Sequence, residues 1–331
     1  MPAGREVGRL LFLVNPRAGG RLGRAVAGHV LEALERRGAV LGLDFQIEFT
    51  RPGEVVQQAA EASRRAPVVV AVGGDGTVLD VIRGLVAGGG RAALGVIPLG
   101  TGNDFSRTLG LYRPFGLRRR AAVDRACEAL LWGRRVEVDL LEINRRILFA
   151  SYLSFGLDAR VACTFARLRH RLSGRFLRSP LANKAALTLL GLRYLGDRLP
   201  DGVRLRVARE DGSLEPVELP PRAKTLIISN IRHYGGGSYL APMAELGDGR
   251  FEVTVVPTAA DFIRLMLTRL SFVPSRTPWW PKLPSWQTSR IEVEPAGATH
   301  FQVDGEDATA ALASEPVLEV RVGPRLAVVA P

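Results

Sequence analysis

At 331 residues the chain is long enough for two domains, and its 47% apolar and 24% charged residues are typical of a globular protein. Its formal charge of +12 comes almost entirely from arginine and would attract nucleotides, nucleic acid or anionic lipid surfaces. The two isolated cysteines, Cys127 and Cys163, argue against a disulfide framework or a zinc site, and no apolar window reaches membrane-spanning length. We therefore expect a cytoplasmic protein whose contact with a membrane is peripheral.

The first part of the chain alternates apolar runs with helical patterns. Residues 9–14 predict a first strand, not a signal peptide, and apolar residues from Leu22 predict a helix closed by Gly38. Further strands are predicted at 43–50, 68–72 and 94–97, and helices from 55, from 78 and over 123–131. This alternation predicts a doubly wound parallel sheet, whose loops gather at the edge formed by the strand ends.

The pattern changes after residue 135, where short strand patterns follow one another. They lie at 136–144, 147–155, 203–207, 214–219, 225–230, 251–256, 290–294, 300–303, 318–322 and 326–329. A helical insertion is expected at 162–195. The sequence thus predicts an α/β domain over 1–135 and an antiparallel β-sandwich over 136–331, whose last strand could return to the first domain.

The chain is organised around residues 68–80, in which a buried strand runs into the turn GGDGT. The three glycines permit positive φ angles and a close approach of ligand to backbone, and consecutive N–H groups before a helix form an anion site. The alternative is a tight turn in which Asp75 or Thr77 caps the next helix. The sequence favours the phosphate-binding turn over this alternative.

Several common sites are absent from the sequence. No lysine follows a glycine as a Walker loop requires, and G-x-G-x-x-G does not follow the first strand. The four histidines lack metal-ligand spacing, and there is no G-x-S-x-G elbow. Backbone phosphate binding beside carboxylates remains, which is what magnesium-dependent phosphoryl transfer requires.

Six motifs together resemble the soluble diacylglycerol kinase and lipid kinase family, which includes sphingosine and ceramide kinases. They are NPRAGG at 15–20, GGDGT at 73–77, PLGTGNDFSR at 98–107, SNIRHYGGG at 229–237, YLAPMAELGDGRFEV at 239–253 and DGE at 304–306. GGDGT alone is shared with NAD kinases and phosphofructokinases, but the six motifs in this order are specific. The resemblance implies an ATP-dependent kinase with an active site between an α/β domain and a β-sandwich domain.

The resemblance also implies which residues would contact ATP. They are Asn15, Thr50, Gly73, Gly74, Asp75, Gly76, Thr77, Val78, Leu79, Gly100, Thr101 and Asn103. For Thr50 the alternative is a strand-end hydroxyl in a turn before Pro52.

Acidic residues carry the implied chemistry. Asp75, Asp104 and Asp139 match positions that in the family form a network around the catalytic magnesium, and Glu306 matches the general base. The alternatives are an N-cap for Asp104 of a helix beginning near Phe105, a solvated strand residue for Asp139, and an exposed glutamate after an Asp-Gly turn for Glu306.

A second, structural magnesium site in the family maps onto the carboxylate of Asp248 and the carbonyls of Glu245 and Arg250. Two positions depart from the commoner family pattern. Arg250 replaces an aliphatic residue, and Glu252 stands where aspartate often follows. A carbonyl ligand does not depend on its side chain, so the site stays a prediction, with a simple turn at Asp248 as the alternative.

Two stretches could contact lipid. Residues 272–286 place Trp279, Trp280 and Trp286 among basic residues and prolines, which suits either an interfacial loop or a cover for the sandwich edge. Residues 167–178 are rich in arginine and suit either anionic lipid or a solvated helix face.

We expect a lipid kinase that acts on diacylglycerol at a membrane surface with ATP and magnesium. The rivals are an NAD kinase and a non-catalytic basic protein that binds nucleotide or nucleic acid, although no aromatic motif for stacking RNA bases is visible. No nucleic-acid partner is expected, and a homodimer is left open.

Overall fold

The computed structural model describes residues 9–21, 23–41, 44–112, 119–171, 180–268, 281–297, 300–312 and 315–331. The chain forms two compact units. The first consists of Met1–Val138 and Arg325–Pro331, and the second of Asp139–Pro324.

The first unit is an α/β unit. Its elements are β1 (Leu10–Val14), α1 (Ala18–Arg21), α2 (Gly23–Leu41), β2 (Phe45–Phe49), α3 (Val55–Arg65), β3 (Val68–Gly73), α4 (Asp75–Ala87), β4 (Ala93–Pro98), α5 (Asp104–Thr108) and α6 (Arg119–Trp132). The strands pair in parallel in the order β2-β1-β3-β4. Every residue of β1, β3 and β4 is buried, as the continuous apolar runs predicted for strands covered on both faces.

Helices pack on this sheet because each carries an apolar face. Val26 and Leu34 of α2 and Val123 of α6 share a core cluster with Phe12 of β1. Helices α3 and α4 pack against each other and against β1 and β3. One prediction was wrong: α2 continues past Gly38 to Leu41, because an isolated glycine weakens a helix without ending it.

The second unit is mostly antiparallel. It begins within β5 (Arg134–Ile143) and ends within β18 (Leu318–Ala330). Between them lie β6 (Ile147–Phe149), β7 (Tyr152–Gly156), α7 (Leu157–Arg171), α8 (Pro180–Arg193), β8 (Arg204–Ala208), β9 (Leu214–Val217), β10 (Thr225–Ser229), β11 (His233–Tyr234), β12 (Ser238–Tyr239), β13 (Phe251–Val256), α9 (Ala259–Leu267), β14 (Ser285–Thr288), β15 (Arg290–Glu294), β16 (Phe301–Val303), β17 (Glu306–Asp307) and α10 (Thr309–Leu312).

Two antiparallel layers enclose the core of this unit. One is the sheet β14-β13-β10-β7-β16-β17, and the other contains β18, β15, β8 and β9 with the β5-β6 hairpin. Phe155 and Phe251 of the first layer share a single buried cluster with Leu141, Leu205 and Ile291 of the second. The predicted sandwich is therefore confirmed, as is a helical insertion, formed by α7 and α8.

Two predicted strand boundaries were wrong. The run 147–155 is split into β6 and β7, because the backbone N–H groups of Ala150 and Ser151 donate to the Asp304 carboxylate and not to a sheet partner. The runs 318–322 and 326–329 form the single strand β18, whose later part pairs with β4 at Val328. Helix α9 was not predicted.

Membrane-spanning length is not reached by any helix in the described parts of the chain. Trp286 on β14 packs against the sandwich core, whereas Trp279, Trp280 and residues 172–178 lie outside the described residues.

Candidate functional site

Four loops meet at the carboxyl edge of the parallel sheet, as predicted. The Asn15 side-chain amide donates to Thr77 Oγ1 at 2.9 Å, so the loop after β1 contacts the start of α4. The Leu99 N–H donates to the Gly73 carbonyl at 2.6 Å, and the Thr50 N–H donates to the Val14 carbonyl at 2.9 Å. These bonds gather the loops after β1, β2, β3 and β4 into one surface.

Glycines allow two of these loops to touch through their backbones. A Cβ atom added to Gly74 would lie 3.0 Å from Gly100 Cα, and one added to Gly100 would lie 2.7 Å from Gly74 Cα. A Cβ at Gly73 would lie 2.6 Å from the Thr77 side chain. A side chain at Gly74 or Gly100 would push the GGDGT and LGTGND loops apart, and one at Gly73 would clash with Thr77 at the start of α4.

Helix α4 begins within the GGDGT turn. Gly74 occupies the N-cap position and gives no side-chain cap, and Asp75, Gly76 and Thr77 form the first turn of the 13-residue helix. The first N–H groups of a helix have no acceptor within it, and the helix dipole makes this end positive. The arrangement is an anion-binding end on a surface where Gly76 is exposed and Thr101 is half-buried.

Asp75 links the two glycine loops. Its Oδ2 accepts the Asn103 N–H at 2.7 Å, and its carboxylate also accepts the Asp104 N–H. Burial raises the pKa of Asp75 above its usual value, and these hydrogen bonds and the Arg107 charge oppose that rise. The carboxylate from the first loop thus caps α5 in the second.

The structure corrects the N-cap alternative for Asp104. Asn103 occupies the N-cap position in a left-handed conformation with φ of 54°, and the buried Asp104 is the first residue of α5. Asn103 Oδ1 accepts the Gly100 N–H at 2.8 Å, which fixes the LGTGND loop on itself.

Arg107 has a place near the site that its sequence motif did not predict. Its Nε donates to the Gly102 carbonyl at 2.9 Å, and its guanidinium lies 3.6 Å from the centre of the Tyr112 ring. Both contacts hold a positive charge near Asp75. Its place within PLGTGNDFSR was the only signal in the sequence.

Val78 and Leu79 lie in α4 with buried side chains, and the Val78 N–H donates to the Gly74 carbonyl. Their side chains pack in the core. Thr50 is also buried, with its N–H bonded to β1. Of the residues predicted to contact ATP, Thr77 and Asn103 also have buried side chains.

In the second unit, Asp139 is buried, so the solvated-strand alternative is wrong. Its Oδ2 accepts the Gly249 N–H at 2.6 Å, and its N–H donates to the Leu246 carbonyl at 2.7 Å. The Asn230 amide donates to the Asp139 carbonyl at 2.5 Å. Asp139 and Asn230 therefore hold the loop that carries Asp248.

Asp248 is exposed at a turn. Its Oδ1 accepts the Arg250 N–H at 3.0 Å, and its Oδ2 accepts an N–H of the Gln287 amide at 2.9 Å. Burial, and then the Asp248 charge, raise the pKa of Glu252 to about 7. Among the described residues, Glu252 Oε2 has no hydrogen-bond partner although it is buried. Across the described residues, no three His, Cys, Asp or Glu side chains group closely enough to hold a metal ion.

The DGE turn is anchored by its aspartate. The Asp304 carboxylate accepts the N–H groups of Ala150, Ser151 and Tyr152 at 2.8 to 2.9 Å. Asp304 has a φ of 48°, and the next residue, Gly305, has a φ of 84°. These bonds fix the turn that presents Glu306.

Gln302 supports the same turn from β16. Its Oε1 accepts the Gly305 N–H at 2.7 Å, and its Nε2 donates to Ser154 Oγ at 2.8 Å. Glu306 follows as an exposed residue of β17, paired with Val303. An exposed carboxylate on a rigid turn is suited to exchange protons with a bound molecule.

Comparisons with known proteins agree with this architecture. The diacylglycerol kinase catalytic domain model matches residues 9–143, and the diacylglycerol kinase accessory domain model matches residues 148–307. A protein named "Probable lipid kinase YegS-like" from Pseudomonas aeruginosa is 30% identical over 306 residues, covering 90% of this chain and 87% of the relative.

A protein named "Probable lipid kinase YegS" from Escherichia coli is 24% identical and covers 80% of this chain and 84% of the relative. The crystal structure of a diacylglycerol kinase from Bacillus anthracis str. Sterne shares the fold, with a TM-score of 0.65 and 21% identity. It covers 98% of this chain and 97% of that one. The chain therefore belongs to the diacylglycerol kinase family and is a lipid kinase, a phosphotransferase with an alcohol group as acceptor.

Proposed function

We propose that this lipid kinase transfers the γ-phosphate of ATP to the hydroxyl group of diacylglycerol and forms phosphatidic acid. The observation that carries the phosphoryl-transfer part is the contact between the Gly74 and Gly100 backbones at the start of α4. The first N–H groups of α4 lie at that contact, at a positive helix end, as phosphate binding requires. The family is named after diacylglycerol kinases, and we propose diacylglycerol as the acceptor for this chain.

ATP phosphates would lie against the first turn of α4. Gly74, Gly76 and Thr77 are at this turn, and Asn15 and Thr101 lie on the loops around it. Thr50, Val78 and Leu79 would then act by shaping the turn, because their side chains are buried. Backbone groups would supply most of the phosphate binding, so no P-loop lysine would be needed.

Magnesium fits the acidic groups near this turn. Mg²⁺ is commonly held by one or two carboxylates together with substrate phosphates and waters, so a cluster of three side chains is not required. Asp75 is half-buried with a raised pKa, and a cation beside it would favour its charged form. When bound, magnesium would neutralise phosphate charge. Asp104 lies beside Asp75 across the loop contact, because its N–H donates to the Asp75 carboxylate.

In the second unit, Glu306 would take the proton of the acceptor hydroxyl. The hydroxyl oxygen would form a bond to the γ-phosphorus, and ADP would leave. The role is proposed for Glu306 because the Asp304 turn holds it rigidly while leaving it exposed. The Asp248 turn, with the carbonyls of Glu245 and Arg250, is the proposed site of a second, structural magnesium.

The acceptor would be drawn from a membrane surface. Helix α8 exposes Leu189 and Leu192, which are 66% and 58% accessible, and ends in Arg193. Exposed leucines beside a basic residue suit the interface of an anionic bilayer. We therefore propose peripheral membrane contact through α8.

A lipid panel tests the proposed function. The protein would be incubated with labelled ATP and magnesium over diacylglycerol, other lipid alcohols and NAD, with Asp75→Ala as the blank. Label in phosphatidic acid, absent with Asp75→Ala, is the expected result. Label in another lipid would overturn diacylglycerol as the acceptor, and label in NAD alone would overturn the proposal.

A further inference from the structure

A cavity of about 260 Å³ lies in the second unit, away from the residues assigned above. Its wall includes Arg160 of α7, Arg198, Asp197 and His300, with Gly156 at the end of β7. Most of these side chains are charged or titratable. Apolar side chains usually predominate in small-molecule pockets, so this cavity is built for a polar ligand.

The cavity lies at the opposite end of β7 from the DGE turn. Tyr152, the first residue of β7, donates its N–H to Asp304, whereas Gly156, the last residue, lies at the cavity. Antiparallel pairing places Phe301 opposite Phe155, so His300 is also at the cavity end. Four residue steps along a strand span about 13 Å. The cavity is therefore separate from the turn that carries Glu306.

Arg160 is held in place at the cavity wall. Its Nη1 donates to Asp197 Oδ2 at 2.7 Å, and its guanidinium lies 4.4 Å from the centre of the Tyr194 ring. Two contacts restrict the motion of this long side chain. A preorganised guanidinium loses less entropy when it binds oxygen atoms of a ligand.

The charge balance of the wall favours an anion. Asp197 pairs with Arg160, and the partner of Arg198 is Asp201, whose side chain is 83% accessible. An exposed pair of this kind is weak, so Arg198 can turn to another anion. Burial lowers the pKa of His300, and the charges of Arg160 and Arg167 lower it further. A neutral imidazole can still donate one N–H.

The size of the cavity limits the ligand. Sites for drug-sized molecules occupy about 300–1,000 Å³, so this cavity suits a headgroup and not a whole diacyl lipid. Guanidinium groups recognise phosphate oxygens through paired, charge-assisted hydrogen bonds. A phosphate group with a small polar substituent matches the volume and the donors.

The neighbouring helix indicates where that phosphate comes from. Helix α8 ends at Arg193, directly before Tyr194, and exposes Leu189 and Leu192. The charge of Arg193, like that of Arg160, lies near the Tyr194 ring. Exposed leucines followed by arginines are typical of an element at a lipid interface.

We propose that this cavity is a second ligand site, which binds the phosphate group of an anionic phospholipid headgroup and ties the kinase to the bilayer. The proposal depends on the chain being a lipid kinase and on the α8 interface, and it is independent of which lipid accepts phosphate. Its chemistry is that of phosphate, which could also come from a soluble phosphate ester.

Vesicle flotation without ATP tests this site separately from turnover. Vesicles of phosphatidylcholine with and without phosphatidylserine would be used, since phosphatidylserine has a phosphodiester and no hydroxyl group to be phosphorylated. Arg198→Ala and Arg160→Gln would be compared with Arg204→Ala, an exposed residue of β8 paired with Glu294. Far-UV circular dichroism would check folding, and Arg198→Ala removes only an exposed ion pair.

We expect phosphatidylserine-dependent binding to fall about tenfold in Arg198→Ala and Arg160→Gln, as loss of a charge-assisted hydrogen bond predicts, and to persist in Arg204→Ala. Calorimetry with glycerol 3-phosphate and inorganic phosphate forms the soluble arm. Tight binding there, lost in Arg198→Ala while vesicle binding persists, would overturn the lipid as the source. Equal reductions in all three variants would show diffuse surface charge and overturn the site.

Discussion

Asp304 illustrates how one carboxylate can determine both a strand break and a turn. Its carboxylate accepts the N–H groups of Ala150 and Ser151, which separate β6 from β7, and that of Tyr152, the first residue of β7. It also holds the turn before Glu306. Asp304 itself is nearly buried, so the three donors have little access to water as a replacement. The aspartate of the DGE motif is therefore a positioning residue.

Asp304→Ala should leave these donors without an acceptor and lower the free energy of unfolding by about 3–5 kcal/mol. Urea unfolding measures this. Asp304→Asn keeps one acceptor oxygen and should cost less stability. If the turn positions Glu306, Asp304→Asn should also lower kcat and leave the KM for ATP nearly unchanged. A loss of stability below 1 kcal/mol in Asp304→Ala would contradict the anchoring role.

The contribution of Glu252 to folding stability changes with pH in the opposite direction to that of a salt-bridged carboxylate. Burial and Asp248 raise its pKa from 4.5 to about 7. The folded state therefore holds the proton more tightly than the unfolded state. Stability from this group is present below pH 4.5 and is lost as pH rises to about 7, a total of about 3 kcal/mol.

Glu252→Gln should remove this dependence. In metal-free buffer the variant should be more stable than the parent at pH 8 and nearly equal to it at pH 4.5, as measured by urea unfolding. Glu218→Gln, at an exposed position, is the control and should change neither value. Equal stabilities of Glu252→Gln and the parent protein at both pH values would show that burial does not raise the pKa of Glu252.

Among the helices and strands, the contact between the loops after β3 and β4 matters most for the site. It depends on Gly74 and Gly100, whose backbones touch where any Cβ would intrude. Gly28, in contrast, lies in α2, and no atom of the described residues is within 4 Å of a Cβ built on it. Gly74 and Gly28 therefore form a matched pair for substitution by alanine.

Gly74→Ala should separate the two loops, cost about 1–3 kcal/mol of stability and weaken ATP binding at least tenfold. Gly28→Ala should bind ATP normally and be more stable by about 0.5–1 kcal/mol, because alanine favours helix. Calorimetric titration with ATP and thermal unfolding measure both. Unchanged ATP affinity in Gly74→Ala would contradict the placement of the phosphates at this turn.

The regular elements were predictable where periodicity was strong. The continuous apolar runs of β1, β3 and β4 identified buried parallel strands, and alternation identified β8. The break between β6 and β7 was not predictable, because Asp304, far away in sequence, supplies the acceptor that removes residues 150 and 151 from a sheet. The single long strand β18 was missed because Gly323 and Pro324 indicate a turn.

At the scale of the whole molecule, the chain builds an α/β unit and a β-sandwich unit and returns Arg325–Pro331 to the first. The motifs predicted which residues form the site, but sequence could not show how they are held. Asp139 illustrates this, because its burial and its bond to Gly249 depend on a loop 110 residues later. Arg107 was missed as a functional residue because its contacts with Gly102 and Tyr112 arise only after folding.

We propose that, in this lipid kinase, Glu306 accepts the proton of the acceptor hydroxyl. The most direct measurement is single-turnover phosphoryl transfer from labelled ATP to the preferred lipid by the parent protein and Glu306→Gln. Glu61→Gln, on the exposed face of α3, is the control. Removal of a general base predicts a rate at least 100-fold lower in Glu306→Gln, with ATP affinity and the unfolding curve unchanged. Transfer at the parent rate by folded Glu306→Gln would contradict the account.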